Sequence, residues 1–157
     1  MRNLQRPGRS PVMASNAMIA TSHPLASQVG IDIMKSGGNA VDAAIAACAT
    51  LCVVEPAMTG IGGDCFALYS PAGSRVPLAL NGSGRAPKAA SVDGIRAQGI
   101  STIEVQSAHA VTVPGAIAAW TKLNADHGHK SMEELLAPAI NYAQNGFPVM
   151  HRVGIDW

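Results

Sequence analysis

Apolar residues recur at helical spacing in several stretches of this chain and form short runs between them. Leu25, Val29, Ile33 and Met34 repeat near helical spacing, Pro24 suits a first helical turn, and Gly37-Gly38 supply a stop. Asn39 is a candidate N-cap for the next helix, where Val41, Ala44, Ile45, Cys48, Leu51 and Cys52 fall at i, i+3, i+4, i+7 steps before Glu55-Pro56. Helices are also expected over 116–125 and 132–144, the second opened by Ser131 with Glu134 three residues on and closed by Asn145-Gly146. Strands are expected at 17–21, 65–69, 76–80 and 110–113, with 65–69 and 76–80 forming a hairpin across Pro71-Ala-Gly73. Residues 81–108 read as loop with a short helical piece after Ser91, and residues 1–16 as an irregular lead-in. The remainder, 17–157, reads as a mixed α+β unit with no internal repeat and no clean linker.

Composition changes how that core is pictured. The chain has 157 residues, 48% apolar but only 4% aromatic and 13% charged, with mean hydropathy +0.18. Low charge and positive hydropathy exclude a disordered chain. The apolar share comes largely from Ala and Val, which pack closely but bury little area each. Such a chain reads as one layer of a larger assembly, poorly soluble alone, and the aromatic terminus Ile155-Asp-Trp157 reads as a cut. A net charge of +1 and no basic stripe with interleaved aromatics give no basis for nucleic-acid binding; Arg2, Arg6 and Arg9 read as a solvated tail. No signal peptide or membrane span is visible, and Cys48, Cys52 and Cys65 lack disulfide or metal spacing. A cytoplasmic protein with no membrane partner, no metal and no cofactor is expected, its cysteines serving as small buried hydrophobes.

Four segments invite chemistry. The turn Thr59-Gly-Ile-Gly-Gly63 resembles a phosphate cradle, but a helix precedes it and a strand follows, the reverse of the order such a cradle needs. A tight turn allowing close backbone approach is the better account. Ser22 and His23 are adjacent, so on an extended backbone their side chains diverge and form no nucleophile–base pair. His127-x-His129 reads as a solvent-facing turn. The segment Asn81-Gly-Ser-Gly-Arg-Ala-Pro87 is the most informative: its two glycines present Ser83 and the fork of Arg85. A guanidinium matches a carboxylate bidentately, so anion recognition has a physical basis. Equally, Arg85 could bond loop carbonyls to hold the turn.

Taken together, Ala20-Thr-Ser-His-Pro-Leu-Ala26, Gly37-Gly-Asn-Ala-Val-Asp-Ala-Ala44, Val54-Glu-Pro56, Thr59-Gly-Ile-Gly-Gly63, Val113-Pro-Gly115, Leu136-Ala-Pro-Ala-Ile140 and Asn145-Gly-Phe-Pro-Val149 resemble the N-terminal half of the large subunit of γ-glutamyltransferases. The resemblance runs from about Pro11 to Trp157. It implies an N-terminal nucleophile hydrolase, an αββα sandwich of which this chain holds only the N-terminal portion, made as a precursor that cleaves itself into two subunits. The new N-terminal Thr of the small subunit then attacks the γ-glutamyl amide, its own α-amine serving as base. Oxyanion donors come from the small subunit, and water or an amino acid takes the acyl group.

This sequence departs from that pattern twice. No Thr-Thr-His-type cleavage segment occurs, and Thr21, Thr50, Thr59, Thr102, Thr112 and Thr121 are internal, so no catalytic residue is assigned here. In the family an Arg-Glu-x-Ala-Pro pattern after the second hairpin strand supplies the Arg for the substrate's α-carboxylate. Anchored on Ala86-Pro87, that position is Ser83, and Arg85 stands two residues later. The Gly-Ser-Gly-Arg-Ala-Pro form is more similar to the γ-glutamyltransferase-like amidohydrolases and acylases. Ser83 and Arg85 are therefore the expected substrate-binding residues of an enzyme acting on γ-glutamyl amides such as glutathione. Alternatives are an acylase for small oxo-acid or glutaryl amides, and a non-catalytic fragment needing a partner chain. The expected partners are a small amide substrate and the missing C-terminal half.

Overall fold

A computed structural model describes residues 11–157; Arg2, Arg6 and Arg9, and with them the expected tail, lie outside the described residues. Helix α1, Pro24–Lys35, starts on His23, whose Nδ1 accepts the Leu25 amide at 3.2 Å, and stops at Gly37, where φ is +95° and a side chain would be strained. Helix α2, Ala40–Val54, opens on a capping box: Asn39 Oδ1 accepts the Val41 and Asp42 amides, and the Asp42 carboxylate accepts the Asn39 amide at 2.8 Å. Helical periodicity singled out Ala44 as a buried position, yet Ala44 is exposed while Ala43, Ala46, Ala47 and Ala49 are buried. The reason is packing: α1, α4 (Ala116–His127) and α5 (Met132–Asn145) surround α2, so its buried surface is far wider than one stripe. Small side chains let these neighbours close in. Gly30 of α1 leaves the room that Ile19 occupies, since a Cβ there would lie 2.3 Å from Ile19 Cδ1.

Two expected strands are corrected. Residues 17–21 pair with no strand among the described residues; Ile19 lies instead against α1. Residues 110–113 end a 3-10 turn, Ala108–Ala110, and continue as loop, because the Val113 amide meets the Arg85 carbonyl at 2.9 Å without a ladder on either side. What remains is one antiparallel hairpin, β1 (Cys65–Tyr69) with β2 (Leu78–Gly82), in the register Cys65↔Gly82 to Tyr69↔Leu78. Strand β2 begins two residues later than the apolar run suggests, since Ser74 Oγ accepts the Val76 amide at 3.1 Å and holds that stretch in the turn. Alternation in β1 turns Cys65, Ala67 and Tyr69 toward the helices and leaves Phe66 and Leu68 at 68% and 79% exposure.

Helix α3, Val92–Ala97, forms where expected on its Ser91 cap. Helix α6, His151–Asp156, was not anticipated; it has little apolar period, and Val153 is its one buried residue. The core joins Val29, Ile33, Val41, Ile45, Trp120, Leu135 and Ala139 across four helices. The class is thus mixed, helices plus a small sheet.

Candidate functional site

Three loops that are remote in sequence meet at the end of the hairpin. The Gly63 carbonyl accepts the amides of Gly115 and Ala116, both at 3.0 Å, which seats the start of α4 on the glycine-rich turn. Asp64 Oδ1 accepts the Gly84 amide at 2.6 Å and the Thr112 hydroxyl at 3.5 Å. Asn81 Oδ1 accepts the Ser83 amide at 3.0 Å, an Asx turn that directs the chain out of β2. Glycine is required where these backbones touch. A Cβ at Gly84 would sit 1.8 Å from the Val113 carbonyl oxygen, and one at Gly115 2.2 Å from that of Gly82. By contrast, a Cβ on Gly60, Gly62 or Gly63 would meet nothing within 4 Å. The close approach expected at the 59–63 turn therefore belongs to Gly84 and Gly115, and the turn itself contributes a carbonyl.

Within this frame Ser83 and Arg85 are both exposed and two residues apart on the same loop. The loop is held by backbone groups and by Asp64. Among the described residues neither the Arg85 guanidinium nor the Ser83 hydroxyl takes part in a hydrogen bond or ion pair. The reading in which the Arg85 side chain holds the turn thus has no bond behind it here. What the arrangement offers is a fork of N–H donors on a backbone-clamped stem, suited to a planar anion.

The other candidates fall into structural roles. His23 is buried and caps α1, with Nε2 lacking a partner among the described residues, while Ser22 bonds the Glu55 carboxylate; the two side chains diverge as expected. His129 is exposed, but His127 is half-buried with its ring 4.7 Å from that of Tyr69, which corrects its expected exposure. The free thiols of Cys48, Cys52 and Cys65 are half-buried, and burial pushes all of them up, partly offset at Cys65 by the Trp120 indole. Among the described residues no cluster of His, Cys, Asp or Glu could hold a metal ion. A cleft of about 930 Å³ lies between residues 14–18 and the α1–α2 turn, away from Ser83 and Arg85.

Residues 26–157 match the family model described as Gamma-glutamyltranspeptidase. The chain belongs to the γ-glutamyltranspeptidase family. A family relative, the glutathione hydrolase-like YwrD proenzyme of Bacillus subtilis, is 42% identical over 139 residues, covering 88% of this chain and 26% of its own length. Among solved structures, γ-glutamyltranspeptidase from Helicobacter pylori superposes with a TM-score of 0.84 at 32% identity, covering 93% of this chain and 42% of that one. Cephalosporin acylase from Bacillus halodurans gives a TM-score of 0.83 at 40% identity, over 98% of this chain and 30% of that one. The chain thus spans about a quarter of the curated relative's length.

Asp64 and Thr112 carry no local signature of this role in the sequence. They lie 20 and 48 residues from the atoms they bond, and no local spacing connects them. The available signal was an acidic residue placed between a glycine turn and an apolar strand.

Proposed function

We propose that this chain is the N-terminal part of a self-processing γ-glutamyltransferase-family enzyme that cleaves γ-glutamyl amides such as glutathione. The carrying observation is the Arg85 fork, unpaired among the described residues, on a clamped loop in a chain that belongs to this family. In this reading Arg85 pairs with a carboxylate of the acyl donor, and Ser83 adds a hydroxyl contact beside it. The nucleophilic Thr lies in a part of the protein outside this chain. It attacks the amide carbonyl, the amine leaves with a proton passed through the Thr α-amine, and water or an amino acid accepts the acyl group.

Dependence on a further part also fits the hairpin, which leaves Phe66 and Leu68 uncovered on one sheet face. A second sheet and helical layer against that face would complete an αββα sandwich, with residues 17–157 as a single structural unit. Without that part the chain is inactive. The free thiols fit a reducing, cytoplasmic setting.

A second reading concerns the donor. Arg85 stands two residues beyond the family's usual Arg position, and its loop is tethered at the Gly84 amide by Asp64 and at the Arg85 carbonyl by Val113, which limits how far it slides to compensate. That favours a shorter carboxylate, as in oxo-acid amides; a glutaryl amide keeps the carboxylate position of a γ-glutamyl donor and lacks only its amino group. The complete reading frame, assayed side by side on a γ-glutamyl anilide, oxamate and a glutaryl anilide, decides between them. Absence of both self-cleavage and acyl release would overturn the proposal. Arg85→Ala should raise KM for the preferred donor about 10- to 100-fold, the range for losing one bidentate charge-assisted contact.

A further inference from the structure

The backbone segment from the Gly84 amide to the Arg85 carbonyl is anchored at both ends. Asp64 Oδ1 takes the amide at 2.6 Å, and the Val113 amide is given to the carbonyl at 2.9 Å. Those anchors bracket the Arg85 Cα, so they set the direction in which its side chain leaves the loop. The Val113 side cannot yield, because Gly84 is already packed against the Val113 carbonyl with no space for a Cβ. The Asp64 side is the adjustable one, since it is a single side-chain oxygen that also accepts from Thr112 Oγ1 at 3.5 Å. Asp64 makes no ion pair with Arg85 among the described residues, so its charge meets the Gly84 amide and leaves the guanidinium uncompensated. Its position directly after Gly63, which seats α4 through the Gly115 and Ala116 amides, references the loop to the helical layer.

We propose that Asp64 is a specificity-determining positioning residue: its carboxylate clamps the Gly84 amide so that Arg85 is presented, unpaired, to the carboxylate of the acyl donor. The same bond withdraws the Gly84 N–H from anion binding, so a substrate carboxylate meets Arg85 and Ser83 without the Gly84 amide. This inference rests on the functional reading above and adds the residue that tunes it.

The test uses the complete reading frame with Asp64→Ala and Asp64→Asn, compared on a carboxylate-bearing anilide donor and on one lacking the carboxylate. Asp64→Ala should raise KM for the carboxylated donor about tenfold with kcat little changed, the scale of one charge-assisted hydrogen bond. Asp64→Asn keeps an oxygen for the Gly84 amide and should restore KM to within about threefold. The donor without a carboxylate should be unaffected by either substitution. An equal fall in kcat on both donors, or an unchanged KM in Asp64→Ala, would overturn the proposal. Amide hydrogen exchange separates this failure from failure of the functional reading. In Asp64→Ala the Gly84 amide should exchange about tenfold faster or more while Gly115 and Ala116 keep their protection. If Arg85→Ala leaves every donor's KM unchanged, the substrate role of Arg85 fails, and unaltered exchange at Gly84 would sink the clamp as well.

Discussion

Asp42 is fully buried at the start of α2, and its carboxylate reaches across to the α4–α5 connection. It accepts the His129 amide at 3.1 Å, the Lys130 amide at 3.3 Å and the Asn39 amide at 2.8 Å, while Asn39 Nδ2 donates to the His127 carbonyl at 2.6 Å. Replacing Asp42 by Ala removes the acceptor from all these amides and half of the capping box. A hydrogen bond to a charged group contributes about 1.5–3 kcal/mol, but the His129 bond is shared between two oxygens and the Lys130 bond is long, so about 3 kcal/mol in total is expected. At about 1.4 kcal/mol per decade that is roughly a 100-fold change in a local opening equilibrium. Native-state amide exchange over residues 127–131 reads it directly. Asp42→Ala should lose about two decades of protection at His129 and Lys130, and Asp42→Asn, which keeps one oxygen, about one decade. Amides in the middle of α1 serve as the unaffected control. A change below about threefold in Asp42→Ala would show that the connection is held by packing and refute the hydrogen-bond argument.

Two further predictions follow from the caps and the glycines. Glu134 is held down to about 2 by the Ser131 amide first, then by Lys130 and the Ser131 hydroxyl. Since the folded value is depressed, its contribution to α5 is present above the ordinary 4.5 and lost as pH falls toward about 2. Protection of the first α5 amides should fall through that window, and Glu134→Gln should flatten the dependence; an unchanged profile would refute it. Gly84→Ala forces the 81–87 loop off Val113 at about 1–3 kcal/mol, so trypsin should nick after Arg85 much faster. Gly60→Ala, with open space and an unstrained φ, should leave the nicking rate as it is.

Local chemistry was readable where one segment decides the outcome. The capping box at Ser131 and Glu134, the Asn39 cap and the stop after α1 depend on residues within a few positions of each other, and each stands where spacing put it. The apolar runs at 17–21 and 110–113 failed as strands because a strand exists only with a partner edge. Among the described residues there is one such pairing, and β1 and β2 use it. Ser83 and Arg85 were legible as an exposed loop, whereas their anchors were not, since Asp64 and Val113 reach them from other parts of the chain.

By itself the sequence determined helices α1 to α5, the Asn39 and Ser131 caps, the hairpin and the ordered motifs that identify the family, because these reside in short-range spacing and residue type. Tertiary structure alone decided that α2 is enclosed by its neighbours and that Gly84 and Gly115, rather than the glycines of the 59–63 turn, carry the close contacts. It also decided that Asp64 ends up beneath Arg85's loop. The physical reason is common to all of them: burial and backbone contact are relations between distant segments, and no residue announces in its own neighbourhood which surface will close over it.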